Sequence, residues 1–362
     1  MKAAYFCTAR YLGQAPQGVW PTPVQSYSSE VAQHSMRSAL EQLRMADELG
    51  FDLVSVAEHH YSPFSLTPNP MVLAGALTQV VKKARIALLG PIVPLLNPVR
   101  VAEEFAMLDT LTGGRLVAGM MRGTPNEYVT YGINPGESRD RFEEALQLIR
   151  RAWTEPHPFG WQGRYYQYRA VSIWPRPVQQ PHPPIYMSGS SPESGEFAAH
   201  NHLGLGLAVT TVPHARKAIA HYRAHALREG WEPSEDDVIY RLGVYVADSD
   251  EEAMADISSA PRPAVRITQA NRAVEAAALG SGYYGRDVAG QLDRRGPREL
   301  KEQVQLGQML LGSPDTVFAQ IRHIKQELGA GILDLAMAGA GEKKLHSIEL
   351  FGTKVLPRMR EL

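Results

Sequence analysis

A recurrence constrains this chain more than any other feature. Runs rich in β-forming residues at 3–8, 52–57, 85–90 and 116–121 alternate with segments of helical periodicity. Four more strand-like runs follow at 184–188, 203–209, 238–247 and 332–336, making eight. In the first helical segment Met36, Ala39, Leu40, Leu43 and Ala46 share one face, and Gly50 ends the helix. Later helices are expected at 137–153, 192–201, 214–229, 314–328 and 346–360, the fourth announced by Ser313 as N-cap with Pro314 behind it. Eight strands alternating with helices predict an α/β fold, a parallel (β/α)8 TIM barrel in one domain spanning 1–362. Two segments break the repeat. The stretch 155–183, with six prolines and Tyr165-Tyr166-Gln167-Tyr168, predicts an inserted hairpin and arm covering the barrel. The stretch 249–312 is too long for a simple connection and predicts a lid hinged near Gly280-Ser281-Gly282-Tyr283-Tyr284-Gly285.

Charge excludes one class of partner. Lys and Arg number 37 against 38 Asp and Glu, a net charge of −1, so no basic excess exists to neutralise nucleic-acid phosphates. The N-terminal residues lack the apolar stretch of a secretory signal, from which a cytoplasmic location is expected. Lysines, an arginine and prolines interrupt the apolar region 71–101, so no membrane span is expected there. The single cysteine, Cys7, allows no internal disulfide and reads as a core position of the first strand. No metal is expected, because His221 and His225 have helical spacing without the glutamate of a zinc-protease motif. Thr8-Ala9-Arg10-Tyr11-Leu12-Gly13 after the first strand is not a dinucleotide-binding glycine pattern.

In a barrel the C-terminal ends of the strands carry the chemistry. Glu58-His59-His60 stands at the end of the second strand, where an imidazole can move a proton near neutral pH. Adjacent histidines point to opposite sides, so His59 is assigned the functional role and His60 the structural one. Gly90-Pro91 ends the third strand, where a cis peptide bond could aim backbone groups into the pocket. Met121-Arg122 ends the fourth and places a guanidinium at the mouth, able to hold a phosphate or to make a surface ion pair. Ser188-Gly189-Ser190-Ser191-Pro192-Glu193-Ser194 follows the fifth as a small-residue turn opening a helix. Its N–H groups, helix dipole and hydroxyls suit an anion, and Ser191 also suits ordinary N-capping. Tyr128 and Tyr131 either line the pocket or pack on the barrel rim.

Taken in order, Ala57-Glu58-His59-His60, Asn69-Pro70, Pro98-Val99-Arg100, Ala102-Glu103-Glu104, Leu108-Asp109 with Gly113-Gly114-Arg115, Arg122-Gly123, Arg141-Phe142-Glu143-Glu144, Ser190-Ser191-Pro192-Glu193-Ser194 and Gly312-Ser313-Pro314 resemble the bacterial luciferase-like flavin-dependent monooxygenases. The resemblance implies a β/α barrel using reduced FMN (FMNH2) from a separate NAD(P)H-dependent flavin reductase, with O2 as co-substrate. It implies that His59 assists a flavin C4a-peroxide, that Gly90-Pro91 is the cis peptide beneath the flavin ring, and that Met121 lies near the flavin. Arg122, Ser190, Ser191 and Ser194 are then the cofactor-phosphate residues. Tyr128, Tyr131 and the lid residues Tyr283 and Tyr284 are substrate-pocket candidates. A homodimer through helices near 98–112 is implied too. Met121 stands where luciferase has cysteine, and Asn97 where many relatives have histidine, so light emission is not implied. The chemistry expected is oxidation of a small organic substrate, as Baeyer-Villiger-type oxidation of an aldehyde or ketone or as hydroxylation. Two alternatives stay open, a deazaflavin-dependent hydride-transfer oxidoreductase and a non-catalytic flavin-binding barrel.

Overall fold

The computed structural model of the chain describes residues 1–16, 20–208, 210–259 and 299–362. Strands β1 (Lys2–Cys7), β2 (Leu53–Val56), β3 (Arg85–Ile92), β4 (Leu116–Met121), β7 (Ile185–Ser188), β8 (Gly204–Leu207), β9 (Val238–Val246) and β11 (Ile332–Met337) pair in parallel and close into a barrel. Between β4 and β7 the hairpin strands β5 (Phe159–Gln162) and β6 (Gln167–Val171) form a separate antiparallel sheet. All eight expected barrel strands are present. A ninth, β10 (Met309–Gly312), pairs with the end of β9 and was hidden inside the expected lid.

Helices follow the strands: α1 (Ser29–Leu49), α2 (Pro70–Val80), α3 (Pro98–Thr112), α4 (Pro125–Tyr131), α5 (Ser138–Thr154), α6 (Pro192–His200) and α7 (Val212–Arg228). Local chemistry sets their ends. Ser28, Asn69, Asn97 and Ser191 accept hydrogen bonds from first-turn N–H groups, and Gly50 and Gly113 close α1 and α3 in the left-handed conformation. After β9 come α8 (Asp250–Ser259), α9 (Leu300–Gln305), α10 (Pro314–Leu328) and α11 (Gly341–Leu350). The expected lid is described only at its two ends, and Tyr283 and Tyr284 lie outside the described residues.

Each barrel strand alternates between two environments. Outward residues join the large cluster beneath the helices, whereas Ala4, Leu53, Ala87, Leu89, Val117, Tyr186, Ile239 and Ile332 fill the barrel. Farther along the same inward faces, Met121, Ser188, Gly206, Arg241, Gly243 and Ala336 are no longer buried, while their outward neighbours Met120, Met187, Leu205, Leu242 and Leu335 are. The barrel is plugged at the N-terminal ends of its strands and open at the C-terminal ends.

The insert is anchored away from the C-terminal strand ends. Glu144 on α5 accepts from Trp161 Nε1 (3.1 Å), Tyr165 N (2.9 Å) and Tyr166 N (3.0 Å), which fastens the hairpin to a peripheral helix. The arm then passes below the barrel. Gln179 donates to Asp109 and to the carbonyl of Leu116 at the start of β4, and accepts from Arg85 at the start of β3. The insert expected to cover the barrel has its polar anchors on α5 and at the starts of β3 and β4.

Candidate active site

The end of β2 separates its two histidines as expected. His60 is buried with Glu58, its Nε2 lying 2.9 Å from Glu58 Oε1, and Glu58 Oε2 accepts from the backbone N–H of Ile92 at 3.1 Å. Burial pushes the Glu58 carboxyl above its ordinary 4.5, against the opposing pull of the His60 and Ile92 hydrogen bonds. His59 has a side chain 34% exposed, edge-on to Phe64, with Nδ1 3.6 Å from Glu127 Oε1. It also borders a cavity of about 800 Å³ between α1 and the β2–α2 loop, with Tyr27, Met36, Arg37, Tyr61 and Leu66.

Glu127 is the member of this site that the sequence reading missed. It lies on α4 as the third helical residue after Thr124, whose N–H and hydroxyl both donate to Glu127 Oε2. The signal was legible as Thr124-Pro125-Asn126-Glu127, a capping box directly after β4. Burial alone would raise this carboxyl, but the His59 contact and the Thr124 hydrogen bonds outweigh it and hold Glu127 below its ordinary 4.5. An ionised carboxylate therefore stands behind His59 Nδ1, which favours the tautomer with its proton there and leaves Nε2 to exchange a proton.

Gly90-Pro91 corrects one expectation. The cis peptides among the described residues are Trp20-Pro21, Trp174-Pro175 and Gln180-Pro181, so the Gly90-Pro91 bond is trans. The strand instead turns through an irregularity in its pairing with β4 between Leu89 and Ile92. Glycine is required because a Cβ at Gly90 would lie 2.4 Å from the Glu58 nitrogen. The bend brings Ile92 N–H to Glu58, which satisfies the carboxylate without a change of peptide isomer.

Arg122 and the serine turn adjoin through strand register. Met120 pairs with Met187, so Arg122 and Gly189 stand two residues beyond on neighbouring strands. Arg122 Nη1 lies 3.4 Å from Ser138 Oγ. Ser191 caps α6 by accepting from Ser194 N at 3.3 Å, and the two hydroxyls are 3.1 Å apart. Ser191 and Ser194 are thus buried supports of the turn, while Ser190 is half-exposed. A Cβ at Gly189 would meet that of Ser194 at 2.2 Å, so only glycine lets the turn fold this tightly. Tyr128 is fully buried with its hydroxyl donating to the Arg122 carbonyl, which corrects its assignment as a pocket residue. Tyr131 is exposed and stacks edge-on against His60 at 5.1 Å. Among the described residues no cluster of metal-ligating side chains occurs, and no helix is long and apolar enough to cross a membrane.

Comparison with known proteins places this arrangement. A family model described as luciferase-like monooxygenase matches residues 1–331. The chain is 28% identical over 221 residues to the oxygenase component of flavin-dependent trigonelline monooxygenase from Acinetobacter baylyi, covering 59% of this chain and 60% of that protein. It is 25% identical to an F420-dependent glucose-6-phosphate dehydrogenase of Amycolatopsis mediterranei, covering 93% of this chain and 98% of the other. The chain spans about half the length of most of the curated relatives that it matches. Among solved structures, monooxygenase RslO1 from Streptomyces bottropensis superposes with a TM-score of 0.76 at 26% identity, over 99% of each chain.

Proposed function

Since this chain belongs to the luciferase-like monooxygenase family, we propose that it is the oxygenase of a two-component, FMN-dependent monooxygenase acting on a small organic substrate. One observation carries the reading: a glycine-serine turn at the N-terminus of α6, next to Arg122, and a carboxylate-backed imidazole both stand at the C-terminal ends of the barrel strands. The donor set fits reduced FMN. Arg122 and the Ser190 end of the α6 turn would hold its phosphate, with Ser191 and Ser194 shaping the turn. When bound, the reduced flavin supplies the electrons that activate dioxygen.

The chain's own residues then do three things. Glu127 holds His59 so that Nε2 gives or takes a proton at the reacting group. Glu58 and His60 brace that loop against β3 from inside. Ser191 keeps the turn closed by capping α6. A separate flavin reductase fits a chain whose trigonelline relative is itself described as an oxygenase component. Exposed Val72, Met107 and Leu111 on the packed helices α2 and α3 support a homodimer through that face. The F420-dependent relative keeps hydride transfer as the rival chemistry.

The test is oxygen handling. Reduced FMN mixed with air-saturated buffer should release hydrogen peroxide more slowly when bound to the protein, and His59→Ala should speed that release about tenfold or more. Release at the free-flavin rate from both proteins would remove the monooxygenase reading.

A further inference from the structure

The barrel interior contains an ion pair that none of the roles above uses. Arg241 on β9 and Asp334 on β11 stand opposite each other in register. Arg241 Nε donates to Asp334 Oδ2 at 2.6 Å, and Asp334 Oδ1 accepts from Ser55 Oγ of β2 at 2.5 Å. Asp334 and Ser55 are wholly buried, whereas the Arg241 side chain is 20% exposed. Its guanidinium lies over the Phe6 ring, 3.5 Å from the ring centroid. Among the described residues Nη1 and Nη2 make no hydrogen bond.

Among the described residues Arg241 Nη1 and Nη2 are not sealed in the core as buried, unsatisfied donors, so they face the accessible side of the barrel, where a ligand can reach them. Two nitrogens with four N–H groups remain, on the inward face where burial gives way to the open mouth, beside Gly243 and near Ala336 and Gly206. Asp334 behind and Phe6 beneath fix the guanidinium, so its outer edge is preorganised as a planar two-pronged donor. β9 is four steps from β3 around the closed ring in either direction, so this edge lies across the mouth from the Gly90 bend. The residues proposed for the cofactor phosphate lie elsewhere, directly after β4 and in the turn that opens α6.

We propose that the Nη1–Nη2 edge of Arg241 binds the carboxylate of the substrate, making the substrate an organic acid oxidised at another position. This specificity rests on the reading of the barrel mouth as the substrate site. The test needs neither flavin nor oxygen, so its failure and failure of the monooxygenase reading can be told apart.

Wild-type protein is titrated calorimetrically with acetate and benzoate, and with benzamide as the uncharged counterpart of benzoate. In parallel, phenylglyoxal modification of Arg241 is followed by peptide mass spectrometry. A carboxylate should shield Arg241 from the reagent, and benzoate should bind about tenfold or more tighter than benzamide. Arg241→Lys keeps a cation opposite Asp334 while losing the planar edge, and should weaken benzoate about tenfold without lowering the melting temperature appreciably. Equal affinity for benzoate and benzamide, no shielding by either acid, or unchanged benzoate affinity in a folded Arg241→Lys protein would overturn the proposal.

Discussion

Glu58 is a buried acid with a structural task, and its titration separates it from Glu127 69 residues later. A carboxyl whose native pKa is raised binds its proton more readily when folded. Its contribution favours folding below the unfolded value and is lost as pH rises through the native one. Glu58→Gln removes that loss. Its amide can still meet Ile92 N–H with oxygen and His60 with NH2, once the imidazole takes its other tautomer. Urea denaturation from about pH 4 to about pH 7 should show wild-type stability falling relative to that of Glu58→Gln as pH rises above about 4.5. Parallel profiles would contradict burial as the cause. Glu127, held low, acts with the opposite sign: its contribution is present above about 4.5 and is lost as pH falls through its lower native value.

The bend of β3 shows at the scale of one element what glycine does beside the site. Gly90→Ala would drive a Cβ into the backbone of Ala57 and Glu58. It should cost about 1–3 kcal/mol in chemical denaturation and lower activity by shifting the His59 loop; a wild-type midpoint would refute the close approach. The barrel strands were legible because inward and outward positions are both apolar, giving continuous runs such as Ile86-Ala87-Leu88-Leu89. β10 was not, because Met309-Leu310-Leu311-Gly312 is only a four-residue run at the end of the stretch 249–312, expected as one lid. The separate placement of His59 and His60 followed from strand alternation. The Glu127 partnership depends on α4 meeting the loop after β2, and the Arg241–Asp334 pair on closure of the barrel. Single charges inside apolar strands, Arg241 in Ile239-Tyr240-Arg241-Leu242 and Asp334 in Leu333-Asp334-Leu335, were the available clue.

At the scale of the whole molecule the barrel has a plugged floor and an open mouth, where the proposed chemistry is placed. The insert's polar anchors are at α5 and at the starts of β3 and β4, so its loss should be felt in stability rather than in binding. Glu144→Ala removes the acceptor of three hydrogen bonds. It should destabilise the protein by roughly 1–3 kcal/mol, read from thermal unfolding, and leave affinity for reduced FMN unchanged within about twofold. A large change in that affinity would mean that the insert reaches the mouth. The central claim concerns the mouth itself, and anaerobic titration of the protein with reduced FMN tests it most directly. The account predicts saturable binding, weakened about tenfold or more by Arg122→Ala. Binding of the deazaflavin F420 with none of reduced FMN would contradict it and make the chain a hydride-transfer enzyme.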